Sequence, residues 1–173
     1  MPAVFVKAIK PPKLKDDVFR LEMLNAIRKT GTVVKKDFQK TTATWKHKPK
    51  FEVLISLKGP GPELLVGTDD EIYKWVSRGT EGPYEIWAGF YTGKSDKKAL
   101  AFKSRFTAKT APNVIGSFPG SSSGSTVVRP YVVHPGIDPR GFEEAIQEDR
   151  QPWYKRQMEM AMSEAAKKSG YGK

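Results

Sequence analysis

Residues 132–146 read VVHPGIDPRGFEEAI, and this stretch sets the order of the elements around it. His134 and Asp138 each precede a proline, which disfavours helical backbone and favours extended conformations. Gly136 permits a turn, and the prolines lack the N–H that a central strand requires. The stretch therefore predicts a stiff, proline-rich arm over 132–141 that leads into a helix. Such an arm can dock on its own domain or on a neighbouring subunit.

The residues after the arm are predicted to form a C-terminal helix over 142–169. Its carboxylates come early, at Glu143 and Glu144, and its lysines come late, at Lys167 and Lys168. This order matches the helix dipole. Pro152 should kink or restart the helix, because proline lacks the backbone N–H and clashes with the preceding turn.

The chain before the arm predicts a long amphipathic helix that starts at Asp16 or Asp17 and runs to about Thr42. Apolar or small residues recur at spacings of three and four, which places them on one face. These residues are Leu24, Ile27, Gly31, Val34 and Phe38. Gly31 marks either a close approach of another backbone or an interruption of the helix.

A hairpin and a short helix complete the segment 16–80. The runs 51–59 and 63–68 are predicted strands, joined antiparallel across the turn GPGP. The run 69–80 starts with carboxylates and is predicted as a helix that ends at Gly79. Its predicted inner side carries Ile72, Trp75 and Val76, and Tyr73 is expected to help pack it on the sheet.

The remaining segments are predicted to be irregular apart from one strand. Residues 1–14 form an extended N-terminal arm, and 81–131 form an insertion with a strand at 99–106 and a flexible serine/glycine loop at 118–128. The stretch 107–130 is too long for a routine connection and predicts a functional or assembly loop.

The predicted fold class is α+β, in a single domain over residues 1–173. The long N-terminal helix and the C-terminal helix pack on a small antiparallel sheet, with a long inserted loop and the proline-rich arm. A hydrophobic content of 38%, with 13 prolines and 15 glycines, is low for a self-sufficient globule. We therefore expect some apolar surface to be buried between subunits. The expected core residues are Phe19, Leu21, Leu24, Ile27, Phe51, Leu54, Ile72, Trp75 and Phe142.

Composition also limits the class of protein. The formal net charge of +11 favours contact with polyanions, although charge informs association rather than fold. The absence of cysteine excludes disulfides and thiolate metal sites. No stretch approaches the roughly 20 apolar residues of a membrane helix, and the N-terminal apolar run is too short for a signal peptide. The protein is expected in the cytoplasm unless it leaves as part of an assembly.

The sequence offers no set of residues for catalysis. His47 lies in a lysine-rich bend and His134 in the arm, and neither has a motif that supplies a nucleophile and an orienting group. The carboxylate pairs Asp69-Asp70 and Glu143-Glu144 fit helix N-termini. We therefore predict a protein that is not an enzyme and has no catalytic residues, metal or cofactor.

A nucleic-acid-binding protein is the more serious rival. Aromatic residues precede a basic stretch within 84–109, and such interleaving can contact phosphates and stack on bases. The basic candidates for contact with DNA or a partner are Lys94, Lys97, Lys98, Lys103, Arg105 and Lys109. No helix-turn-helix, zinc-finger or RNA-recognition signature accompanies them, so contact with DNA would be non-specific and salt-sensitive. The alternative is a basic loop that lies on an acidic neighbour or faces water.

Two blocks of sequence resemble the neck or tail-completion proteins of tailed bacteriophages, also called minor structural or tail-component proteins. The first is VGTDDEIYKWVSRGT (66–80), and the second is HPGIDPRGFEEAIQ (134–147). They lie on either side of a variable insertion and are followed by a helix through Met162. The resemblance extends over about residues 16–169.

The resemblance implies a non-enzymatic virion protein that multimerises into a ring at the head–tail junction, assembled in the cytoplasm of the bacterial host. Such a ring links head-completion proteins to the tail terminator or tube, and its subunits have a twisted antiparallel sheet flanked by helices. A tail terminator or head-closure protein of the same particle is the first alternative, and a non-specific DNA-binding accessory protein is the second. On this view the arm and the loop 107–130 are candidate subunit contacts, and the basic surface faces the DNA passage or an acidic ring. The interface candidates are Tyr131, His134, Pro135, Ile137, Pro139, Arg140 and Phe142.

Overall fold

The computed structural model describes residues 15–56, 63–89 and 98–171. Within them lie helices α1 (Asp16–Thr41), α2 (Glu71–Arg78) and α3 (Phe142–Lys168). The strands are β1 (Glu52–Ser56), β2 (Glu63–Gly67), β3 (Tyr84–Trp87), β4 (Leu100–Thr107), β5 (Ser121–Arg129) and β6 (Tyr131–His134). They pair antiparallel as β1–β2, β3–β6 and β4–β5. The predicted α+β class is confirmed, with small separate sheets in place of one. The predicted arm 1–14 lies outside the described residues.

Helices α1 and α3 form an antiparallel pair, because contacts join opposite ends of the two helices. Near the start of α1, Glu22 lies 2.5 Å from Lys168 Nζ at the end of α3. Near the end of α1, Asp37 lies 2.5 Å from Arg150 Nε in the first half of α3. Helix α3 continues through Pro152 as one element, so the predicted restart there is wrong. Packing against α1 supports the helix where the proline removes one backbone hydrogen bond.

The predicted apolar face of α1 is confirmed, and the β1–β2 hairpin packs near it. Ile27 and Phe38 are buried, whereas Leu24 and Val34 are half-buried. Gly31 does not interrupt the helix. A Cβ at Gly31 would lie 2.6 Å from Val53 Cγ1 and 3.1 Å from Leu64 Cδ1, so this glycine lets side chains of the hairpin approach α1 closely.

An aromatic cluster joins α1, the hairpin, α2 and α3. The ring centroid of Tyr73 lies 5.1 Å from that of Phe51 and 5.5 Å from that of Phe142. These distances are typical of favourable aromatic pairs. Phe38 lies 5.3 Å from Phe51, and Ile146 completes the buried cluster. Tyr73 is therefore the residue through which α2 enters the core.

Four of the expected core residues are exposed: Leu21, Leu54, Ile72 and Trp75. In α2 the buried residues are Tyr73 and Ser77, one turn apart, and Trp75 is 49% exposed. Asp70 caps the helix by accepting a hydrogen bond from the backbone N–H of Tyr73 at 2.8 Å. Apolar side chains lie on both sides of this short helix, so the space between the neighbouring rings decides which side is buried.

The predicted flexible loop at 118–128 is wrong, because Ser121–Arg129 form β5. This strand pairs along β4, which was predicted at 99–106 and begins at Leu100. Cross-strand hydroxyl contacts accompany the pairing, with Ser121 Oγ donating to Thr107 Oγ1 at 3.0 Å. Strand formation depends on the partner as well as on composition, so a serine-rich segment becomes a strand beside β4.

Residues 121–134 pair with two partner strands in succession, first β4 and then β3. Pro130 lies between them, and its carbonyl accepts a hydrogen bond from the N–H of Ala88 at 3.0 Å. We call the β4–β5 and β3–β6 pairs together the ribbon. Strand β3 was not predicted, and the start of the predicted proline arm is strand β6.

A buried carboxylate joins α1 to α3. Asp37 is 1% exposed and accepts hydrogen bonds from Arg150 Nε at 2.5 Å and from Lys40 Nζ at 2.7 Å. Burial by itself raises the pKa of this carboxyl, but the bonds from Arg150 and Lys40 outweigh burial and hold the pKa below its ordinary value of 3.8.

This ion pair should make the fold acid-sensitive. A carboxyl whose pKa is lowered on folding stabilises the protein above its unfolded pKa, and this contribution is lost as the pH falls through the folded pKa. The free energy of unfolding from urea titrations should therefore fall below about pH 4. The fall should be smaller in an Asp37→Asn variant, which lacks the titrating group. Equal losses in the variant and in the natural protein would contradict the expectation.

Candidate subunit interface

The sequence blocks 66–80 and 134–147 meet in the structure. Thr80, which ends the first block, forms an antiparallel bridge with Ile137 of the second, with N–H···O distances of 3.0 and 3.2 Å. Gly79 has φ +77°, and a Cβ on it would lie 2.6 Å from the carbonyl oxygen of Ile137. Gly136 has φ +101°, and a Cβ there would lie 2.5 Å from the carbonyl oxygen of Thr80. Backbone thus packs on backbone, which only glycine allows at these two positions.

The end of the arm caps α2 through Ser77. The N–H groups of Arg140 and Gly141 donate to the Ser77 carbonyl, both at 2.9 Å. The N–H of Phe142 donates to Ser77 Oγ at 3.2 Å, and the same hydroxyl donates to Glu143. Carbonyls at the end of α2 and N–H groups at the start of α3 therefore satisfy each other. We call residues 77–82 with 135–142 the junction.

The interface candidates of the arm differ in their exposure. Pro135 and Pro139 are exposed, and Ile137 and Arg140 are half-buried. Phe142 is fully buried beside Tyr73, so it has no surface to offer another subunit. The arm is docked on α2 of its own chain, and its exposed prolines remain candidates for contact with a neighbour.

Tyr131 lies on the exposed face of the β3–β6 pair. Its ring stacks on Trp87, directly across the ladder, with centroids 4.7 Å apart. Both rings are exposed, as is Val133 on the same face. Sequence reasoning named Tyr131 but did not single out Trp87, because β3 was not predicted and its cross-strand partner was therefore unknown.

The long stretch 107–130 is held against the body of the protein through its first half. Ser117 Oγ donates to the Lys40 carbonyl at 3.1 Å, and the N–H of Asn113 donates to the Arg140 carbonyl at 2.8 Å. Ile115 packs on the aromatic cluster. The surface of this stretch that remains for other molecules is therefore mainly β5.

The basic candidates do not form one patch. Lys103 and Arg105 are two residues apart on β4, with a shift in the register of the ladder between them, and Lys98 is exposed just before that strand. Lys109 donates to the Thr44 carbonyl at 2.9 Å and so ties its segment to the end of α1. Lys94 and Lys97 lie outside the described residues.

The β4–β5 pair has two chemically different faces, both largely exposed. Cross-strand partners share a face. The pairs Lys103–Thr126, Arg105–Ser123 and Thr107–Ser121 give one face basic and hydroxyl groups, and the pair Ala101–Val128 adds an exposed valine at one end of it. The other face carries the pairs Leu100–Arg129, Phe102–Val127 and Phe106–Ser122. Phe106 is 76% exposed, which is unusual for an aromatic residue in a water-facing strand.

The outer face of the β1–β2 hairpin also carries exposed apolar residues. Leu54 and Leu65 are directly opposite each other and are 58% and 65% exposed. Glu52 and Glu63 lie on the same face, on either side of the leucine pair. The sequence reasoning missed this surface because it placed Leu54 in the core. The sequence does contain a signal for this surface: Leu54, between Val53 and Ile55, breaks the alternation of apolar and polar residues that a strand with one buried face would show.

Both histidines have partners within the chain. His47 pairs with Asp70. Burial by itself raises the pKa of Asp70, but the hydrogen bonds from His47 and from the Tyr73 N–H outweigh burial and lower this pKa. His134 stacks on Tyr84, and its Nδ1 accepts a hydrogen bond from the Gly136 N–H at 3.1 Å. Within 15–56, 63–89 and 98–171, no three His, Asp or Glu side chains are grouped to hold a metal ion. In the same ranges no helix is long and apolar enough to cross a membrane.

Comparison with protein-family models, with curated proteins and with solved structures finds no match for this chain.

Proposed function

We propose that this protein is a non-enzymatic structural subunit of a tailed-bacteriophage particle. It multimerises into a ring at the head–tail junction, where it links head-completion proteins to the tail terminator or tube. The proposal combines the resemblance of the two sequence blocks with the surfaces that the folded chain leaves uncovered.

The observation that carries the proposal is the ribbon. An isolated two-stranded sheet is marginally stable in water unless further strands or a helix cover a hydrophobic face. Here both faces of β4–β5 are largely exposed, and aromatic side chains such as Phe106 and Trp87 project from the ribbon. A ribbon of this kind is typical of a subunit that is completed by its neighbours in an assembly.

The junction supports the same proposal. It fixes the base of the ribbon to α2 and α3 through the Thr80–Ile137 bridge and the cap on Ser77. Contacts made by the ribbon in a ring would therefore be transmitted to the helical body. The blocks 66–80 and 134–147 thus form one junction, although more than fifty residues of insertion separate them along the chain.

Charge favours one alternative, a protein that contacts DNA non-specifically. Between Lys98 and Ile137 the chain has Lys98, Lys103, Arg105, Lys109 and Arg129 and no Asp or Glu. In a ring, such a stretch would suit a surface facing the DNA passage or an acidic neighbouring ring. A tail terminator or head-closure protein would use the same surfaces at a neighbouring level of the particle.

The location of the chain in assembled particles tests the proposal. Particles from the genome that encodes this protein should contain it at the head–tail junction when labelled with an antibody and viewed by electron microscopy. Deleting its gene should yield filled heads and separate tails that do not join. Normal particles from the deletion, or particles that lack the protein, would overturn the proposal.

A further inference from the structure

We propose that the subunits associate head to tail, with the apolar face of the β4–β5 ribbon of one copy packed on the outer face of the β1–β2 hairpin of the next copy. The inference rests on the proposed function and specifies which surfaces of the chain would form the ring. A second copy of this chain covers both faces.

The first surface is the apolar ribbon face, which consists of Leu100, Phe102, Phe106 and Val127. Phe102 and Val127 are directly opposite each other, and Leu100 is opposite Arg129. The face therefore has one apolar row, Phe102 with Val127, flanked by the row of Leu100 and Arg129 on one side and by Ser104 and Ser125 on the other, beyond which lies Phe106. The described residues of the same chain leave Phe102 and Phe106 exposed.

The second surface is the hairpin face, which consists of Leu54 and Leu65 with Glu52 and Glu63. The leucine pair lies at its centre, and one carboxylate lies one row of residues away on each side. A groove of about 550 Å³ runs along this surface and includes both leucines and Glu52. Glu52 lies 3.2 Å from Lys50, but both side chains are well exposed, so this pair can exchange partners at little cost.

The two faces match in spacing as well as in chemistry. Successive residues on one face of a strand are about 7 Å apart, and two sheets pack face to face at about 10 Å. When the Phe102–Val127 row lies on the Leu54–Leu65 row, Arg129 is one row from the centre. Carboxylates lie one row from the leucines on both sides, so the ribbon can run in either direction and still bring Arg129 to Glu52 or Glu63.

A second copy explains this pair of surfaces better than DNA does. Lys103 and Arg105 project from the opposite face of the ribbon, so the aromatic residues cannot stack on bases while these two side chains contact phosphates. Because the two complementary faces belong to different elements of one chain, the contact is heterologous. A heterologous contact produces a closed ring when its rotation closes and a filament when it does not.

Cross-linking in particles tests the contact directly. The chain has no cysteine, so a Leu54→Cys/Val127→Cys variant carries only the two introduced thiols. With a short bismaleimide, particles that contain this variant should give a ladder of covalent multimers on a denaturing gel. The matched control is Leu54→Cys/Thr126→Cys, because Thr126 lies on the other face of β5 beside Lys103. It should give no ladder.

A charge exchange provides an independent measurement on the purified, folded chain. Arg129→Glu should raise the concentration for half-association about tenfold or more, since like charges then meet in the contact. Adding Glu52→Lys and Glu63→Lys to the same chain should restore most of the association. Lys103→Glu is the control, because Lys103 lies on the other face and should leave association unchanged.

The outcomes separate this inference from the proposed function. If the chain is found at the head–tail junction but the Leu54→Cys/Val127→Cys variant gives no ladder, the docking is wrong and the proposed function stands. A ladder from both cysteine pairs would also overturn the docking. Retention of a duplex oligonucleotide that is lost with Lys103→Glu/Arg105→Glu, without a ladder, would assign the ribbon to DNA instead. If particles lack the chain, both proposals fail.

Discussion

Replacing Arg150 with methionine should lower the free energy of unfolding by about 3 kcal/mol. The guanidinium lies 2.5 Å from Asp37, whose carboxylate is 1% exposed. Removing one partner of a buried ion pair leaves the other charge without compensation, and this accounts for most of the loss. Lys40 remains 2.7 Å from the same carboxylate, which keeps the expected loss at the lower end of the range. The midpoint of thermal unfolding should fall by about 10 °C.

Two control variants isolate the buried pair. Lys40→Met removes the partner whose side chain is mostly exposed, and it should cost at most about 1 kcal/mol. Asp37→Leu/Arg150→Met replaces the whole pair by apolar side chains and should recover most of the stability. Urea titration at neutral pH measures all of them. A loss for Lys40→Met as large as that for Arg150→Met would contradict the expectation, because it would show that the exposed lysine contributes as much as Arg150 to neutralising Asp37.

Replacing Gly79 with alanine should cost about 3 kcal/mol of unfolding free energy. About half of this is the penalty for placing a residue with a Cβ at a positive φ, here +77°. The rest comes from displacing backbone, because the new methyl would lie 2.6 Å from the carbonyl oxygen of Ile137 and 2.9 Å from the nitrogen of Pro139. Hydrogen exchange should show faster exchange of the Ile137 and Arg140 amides, which bond across the junction.

Gly116→Ala is the matched control for this substitution. A Cβ at Gly116 meets no atom within 4 Å, so alanine there should be neutral or slightly stabilising. Gly136→Ala disrupts the other side of the same junction. Combined with Gly79→Ala, it should therefore cost less than the sum of the two single losses. Additive losses would mean that the two glycines act independently and that the junction is not one unit.

The parts of the fold that the sequence predicted correctly have a strong period or a local stop signal. The face of α1 through Ile27 and Phe38 follows the helical spacing over more than two turns, and the predicted antiparallel pairing of β1 with β2 is confirmed. The predicted turn at 59–62 lies outside the described residues. The interior of α2 was predicted in part: Tyr73 is buried as expected, but Ile72 and Trp75 are exposed. In a two-turn helix the surrounding rings decide which side is inside, and those rings come from distant parts of the chain.

The candidate surfaces were predicted less well than the helices. Strand β5 depends on its pairing with β4, which a serine-rich sequence does not reveal. The exposed leucine pair depends on the register of β1 with β2, and the stack of Trp87 on Tyr131 depends on that of β3 with β6. The sequence drew attention to the blocks at 66–80 and 134–147 through a resemblance that stays a prediction. The sequence could not show that the two blocks contact each other, because nothing in it predicts the Thr80–Ile137 bridge between segments so far apart along the chain.

The antiparallel pairing of α1 with α3 gives the molecule a polarity that can be used experimentally. The N–H of Lys15 donates to Ser169 Oγ at 3.2 Å, so the first turn of α1 and the last turn of α3 lie at one pole. The junction lies at the other pole, where α3 begins. A fluorophore at Lys15 and one at Ser169 would therefore report the same end of the subunit, and a third at Pro139 would report the opposite end. In the proposed assembly, distances from each of these labels to a reference label on a neighbouring protein would show which pole faces that neighbour.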